Sequence, residues 1–107
     1  MSISMTDGNV QGLFLLQLTI NPASVAAVTT AEQTFTVNGL RASDIAISAS
    51  MLTASAGLGI AGVRVSAENT LALTFVNPTA GAIDAASGLF NVLIARPNTP
   101  TLLGGLS

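Results

Sequence analysis

Residues 63–75 read VRVSAENTLALTF, and the period of that stretch decides the fold. Val63 and Val65 flank Arg64, and Leu71, Leu73 and Phe75 flank Ala72 and Thr74. Apolar residues thus recur at every second position on both sides of Ser66-Ala67-Glu68-Asn69. An extended chain turns successive side chains to opposite faces, so this period marks strands with one face on a core; a helix needs apolar residues three and four apart. The short SAEN connection predicts an antiparallel hairpin of Leu58–Val65 with Thr70–Val76.

That hairpin settles the motif just upstream. Residues 57–62 read GLGIAG, a G-x-G-x-x-G, and Asp84 follows at about the spacing of a ribose-binding acid. A dinucleotide-binding loop needs a helix opening at its third glycine, whose amide ends hold the pyrophosphate. Here Gly62 runs directly into VRVSAENTLALTF, so no helix starts there. The glycines instead predict a bulge or close backbone packing between Gly59 and Gly62, with Gly62→Val damaging folding or assembly. No nucleotide cofactor is expected.

Outward from the hairpin the same alternation recurs in Leu16, Leu18 and Ile20, in Phe35 and Val37, in Ile45 and Ile47, and in Phe90, Val92 and Ile94. Asn21-Pro22, Asn38-Gly39 and Asn77-Pro78 punctuate the runs. The expectation is an all-β, single-domain antiparallel β-sandwich or small barrel of about six or seven strands, each of these apolar sets facing the core. Residues 23–32 (ASVAAVTTAE) read as a helical turn or an irregular crossover. Residues 78–88 (PTAGAIDAASG) read as a long loop of the kind that often carries function, with room for a half-turn of helix. Residues 1–12 and 97–107 lack periodicity and read as extended N- and C-terminal arms on a domain spanning 13–96. The echo between LQLTINP (16–22) and LALTFVNP (71–78) is read as two strands with similar duties rather than a repeat.

Composition narrows the function. Charged residues make up 7% of the chain, against roughly 25% in a typical soluble domain. Half the residues are hydrophobic and the mean hydropathy is +0.68. Disorder is excluded by this balance, and so much apolar content with so little charge calls for a surface covered by copies of itself or by a larger assembly. With a net charge of −2, three dispersed arginines and no basic run, nucleic acid is not an expected partner. Residues 45–63 are uncharged but interrupted by serines, a threonine and glycines, and residues 1–9 lack the basic start and apolar core of a signal peptide, so no membrane partner is expected. Histidine, lysine and cysteine are absent, which removes Ser–His, Ser–Lys and thiolate nucleophiles. The five carboxylates, Asp7, Glu32, Asp44, Glu68 and Asp84, are isolated in sequence, so neither a metal site nor an enzyme is expected. Without Trp or Tyr there is no stacking platform for a strong sugar site.

Two stretches, NPASVAAVTTAEQTFTVNGL (21–40) and AGLGIAGVRVSAENTLALTFVNPTAGAIDAASGLFNVLIAR (56–96), resemble the small β-rich virion structural modules of tailed bacteriophages, of the capsid decoration or cement type. The resemblance implies a non-enzymatic protein at the capsid surface that stabilises the shell by bridging neighbouring subunits. It further implies a homo-oligomer, a trimer before other states, partnered with the major capsid protein or another virion protein. A head-fibre, neck or tail accessory, or a host-surface glycan-binding module of a phage fibre, is the alternative. The candidate assembly contacts are Met1, Ile3 and Met5 in the N-terminal arm, Pro78, Ile83 and Asp84 in the long loop, and Leu102 and Leu103 in the tail. Arg41, Arg64 and Arg96 are candidates for ion pairs with carboxylates of neighbouring subunits, or else exposed solubilising charges.

Overall fold

A computed structural model of the chain describes residues 10–97. The described residues hold no helix and form six strands: β1 (Val10–Ile20), β2 (Thr29–Thr36), β3 (Ile45–Met51), β4 (Gly59–Ala67), β5 (Thr70–Asn77) and β6 (Gly88–Pro97). They make two antiparallel three-stranded sheets, ordered β1-β6-β3 and β2-β5-β4. The sheets face each other across one core in a small sandwich-like arrangement, and no barrel closes. Inward side chains of the central strands, Leu71, Leu73 and Phe75 of β5 and Phe90, Val92 and Ile94 of β6, are almost wholly buried. Phe75 meets Phe90 edge to face across the core, with ring centroids 6.3 Å apart.

The hairpin forms as its period predicts. Ala67 pairs with Thr70, leaving Glu68-Asn69 as the connection, and Asn69 takes a φ of 60° that its short polar side chain tolerates. The register breaks between Ile60 and Gly62, so the bulge expected in the glycine-rich stretch is present. A second break lies between Val65 and Ala67.

Elsewhere the structure differs from the sequence reading. β2 begins at Thr29, inside the stretch read as a helical turn or crossover; only residues 23–28 are irregular. Its inward residues Ala31 and Phe35 differ so much in size that the period is faint, while the outward residues are threonines and Glu32. Residues 78–88 contain no helix; Ile83 forms an isolated antiparallel bridge with Val25. Val10–Gly12 belong to β1 and Pro97 to β6, so both strands reach into the segments read as arms. Residues 45–63 are divided between β3, a loop and the start of β4, and no helix among the described residues is long and apolar enough to cross a membrane. In β3 the expected orientation is reversed: Ala46, Ala49 and Met51 pack on the core, and Ile45 and Ile47 are exposed. A register break between Ala46 and Ser48 sets Ile47 out of the ladder, and Ala46 opposes the inward Ile94 while Ile45 opposes the outward Ala95.

The sandwich has two unlike ends. The start of β1, the close of β6, the β2–β3 connection and the 68–69 turn share one end. Residues 21–28, 52–58 and 78–87 make the other.

Candidate assembly surface

The sequence-predicted contacts do not gather into one site. Met1, Ile3, Met5, Leu102 and Leu103 lie outside the described residues. Pro78 and Asp84 are exposed at the loop end, but Ile83 is half spent inside, packed on the core and bridged to Val25. Arg41 and Arg96 lie at the opposite end, and Arg64 on a sheet face.

Two of the three arginines are used within the chain. Arg96 donates through Nε to Asp44 Oδ1 at 2.9 Å and through Nη2 to Asp44 Oδ2 at 2.8 Å, a bidentate pair, and its Nη2 also reaches the Gly39 carbonyl at 2.8 Å. The guanidinium carbon lies 4.9 Å from the centre of the Phe14 ring. The Asp44 side chain is fully buried, and it also accepts the Arg41 backbone N–H at 2.9 Å. These hydrogen bonds, Arg96's above all, hold the Asp44 carboxyl below the usual aspartate range against the opposing effect of burial. The group is a clamp that ties β1 and β6 to the β2–β3 connection. Beside it lies an apolar pocket of about 180 Å³ bordered by Phe14, Leu16, Val37, Leu40 and Ile94, whose only charged groups, Asp44 and Arg96, hold one another. Arg64 pairs bidentately with Glu32, both contacts at 2.8 Å, and lowers the Glu32 carboxyl in the same way. Arg41 is exposed, and its side chain makes no hydrogen bond among the described residues. No three His, Cys, Asp or Glu side chains cluster as metal ligands among them either.

The two outer sheet faces differ in kind. On β2-β5-β4, Thr30, Glu32, Thr34 and Thr36 stand opposite Val76, Thr74, Ala72 and Thr70. The Arg64–Glu32 pair bridges β4 to β2 above the small residues of β5. That face is polar and internally satisfied. On β1-β6-β3 the register brings Leu13, Ala95 and Ile45 into one row across all three strands. Leu15, Leu93 and the bulged Ile47 beside Ser48 make the next row, and only in the third do polar residues return, with Gln17, Asn91 and Ser50. Gln17 donates to Asn91 there at 3.2 Å. Leu13 is 64% exposed, Leu15 76%, Ile45 43% and Ile47 52%. Single exposed leucines are ordinary, but contiguous apolar rows across a sheet are a surface that gains by leaving water.

Sequence reasoning placed none of Leu13, Leu15, Ile45, Ile47 or Leu93 on an assembly face. The available signal was the run Leu13-Phe14-Leu15-Leu16, where apolar residues occupy consecutive positions and therefore both faces of the strand. The chain matches no protein-family model, no curated protein and no solved structure.

Proposed function

We propose that this chain is a structural protein, without catalytic activity, that works by seating the outer face of β1-β6-β3 on a neighbouring subunit. The observation that carries the reading is the contrast between the faces: contiguous apolar rows on one, a threonine-rich surface with an ion pair on the other. A face of this kind does no chemistry; it adds buried area, and area of the order of ~800 Å² per partner makes a stable protein interface. The low charge of the whole chain supports the same reading. The resemblance of residues 21–40 and 56–96 to phage decoration modules supports placing the protein on a bacteriophage capsid, bridging shell subunits as a homo-oligomer and strengthening the shell by mass action.

Cryo-electron microscopy of virions carrying the chain tests both parts. The expected map shows it on the outside of the shell with β1-β6-β3 turned towards its neighbours. Density confined to the neck, tail or fibres removes the decoration role, and density with that face open to solvent removes the proposed contact.

A further inference from the structure

Natural sheets protect their edges against strand addition with charges, prolines, bulges or short length. Three of the four edges here carry such a device. β2 has Glu32, β4 has Arg64 and two register breaks, and β3 is short, bulged at Ile47 and packed along β4. The fourth edge, β1, has only a register break at its very start, between Val10 and Gly12, and nothing along the rest of its length. It runs for 11 residues without charge or proline, its register with β6 is unbroken from Gly12 to Ile20, and no described strand or loop hydrogen-bonds to its other side.

The sequence of β1 is also nearly symmetric about Phe14. Outward from that residue come Leu13 and Leu15, then Gly12 and Leu16, then Gln11 and Gln17. We propose that β1 pairs antiparallel with β1 of a second copy about a two-fold axis at Phe14, joining two three-stranded sheets into one of six strands. Directly opposed residues of an antiparallel pair share a face. In this register Leu13 meets the partner's Leu15 on the outer face, and the even part of the ladder ends on each side at Gly12, beside the register break that takes up Gln11. Gly12 opposes the partner's Leu16, and the absence of a side chain there matters: a Cβ on Gly12 would lie 3.2 Å from the Phe14 ring that covers it. The strand's own symmetry points to a second copy rather than an unrelated strand, because a two-fold contact requires one patch to complement itself. The pairing also makes the apolar rows of the two outer faces continuous. It yields a dimer where the phage resemblance leads to a trimer, and it stands whether or not the protein belongs to a capsid.

Sedimentation equilibrium of the full chain across a wide concentration range, with cysteine cross-linking, tests this. The chain has no cysteine of its own, so Phe14→Cys is a clean reporter. Across the axis it should oxidise to a disulfide dimer. Leu15→Cys should not, since residues two positions out of register stand roughly 7–8 Å apart at Cα, beyond disulfide reach. Should Phe14→Cys fail to fold, the double variant Leu13→Cys/Leu15→Cys reports the same register. Leu15→Lys, at an exposed position, should keep its circular dichroism spectrum and dimerise roughly tenfold or more weakly. A monomer at every concentration, as when a terminal segment of the same chain covers the edge, overturns the proposal. So does an oligomer untouched by Leu15→Lys, or a folded dimer in which neither reporter cross-links.

Discussion

At Gly57 the backbone adopts a φ of +81°, and a Cβ would sit 2.7 Å from Thr79 Cγ2 and 3.1 Å from Ile83 Cδ1. Conformation and space both demand glycine there. Gly62, which the sequence reading singled out, has its nearest would-be neighbour at 4.0 Å and no positive φ, so a single methyl fits there. Gly57→Ala should cost about 1–3 kcal/mol in urea unfolding, and Gly62→Ala should stay within about 0.5 kcal/mol of wild type. Asp44 is the other residue with a large individual effect. Asp44→Asn removes one partner of a buried bidentate pair and should cost about 3 kcal/mol. The sign of its pH dependence follows from a folded-state pKa held below the unfolded one. The stabilisation is fully present well above the unfolded value near pH ~4, and is lost as pH falls from there through the folded value. Chemical denaturation at stepped pH should therefore show a loss of stability in acid that is smaller in Asp44→Asn. Glu32→Gln should change stability far less, because its pair is exposed and screened by salt.

Between elements, the decisive side chain is Asn77 at the close of β5. It is fully buried, and its Nδ2 donates to the carbonyls of Val25 at 3.0 Å, Ala26 at 3.3 Å and Gly81 at 2.9 Å. Its Oδ1 accepts from the Thr79 N–H at 3.0 Å and the Thr79 hydroxyl at 2.6 Å. One amide thus pins two of the three irregular segments at the loop end, 21–28 and 78–87, which have few backbone bonds to each other beyond the Val25–Ile83 bridge. Asn77→Asp sets a carboxylate against three carbonyl oxygens and should cost roughly 3 kcal/mol or more, with Asn77→Ala at about 1–3 kcal/mol; thermal melts of both variants check the order. In sequence Asn77-Pro78 is only a strand-exit signal, and its counterpart Asn21-Pro22 looks identical. The structure separates them: Asn77 is buried with Pro78 exposed, whereas Asn21 is exposed with Pro22 buried. The difference depends on which loop folds back over each turn, and local pattern does not carry that.

For the molecule as a whole, the unequal outer faces predict a separation of stability from assembly. Ile47→Glu puts a charge on the exposed bulge of β3 and should alter unfolding free energy by no more than about 0.5 kcal/mol. It should at the same time reduce binding to the neighbouring subunit, measured by co-sedimentation with particles. Much of this architecture was legible beforehand. The VRVSAENTLALTF hairpin, the inward sets of β1, β5 and β6 and the bulge in GLGIAG all follow from period and turn chemistry, which act over a few residues. By itself the sequence determined that the described residues are built of strands, that the chain lacks the side chains for nucleophilic catalysis by a Ser–His or Cys dyad, and that only 7% of its residues are charged. Only the tertiary structure decided which strands share a sheet, that Ile45 and Ile47 turn outward, that Arg96 and Asp44 close on each other, and that β1 lies at a sheet edge. Each of those depends on register between segments far apart in the chain, and a one-residue shift in register exchanges the two faces of a strand without changing a single local preference.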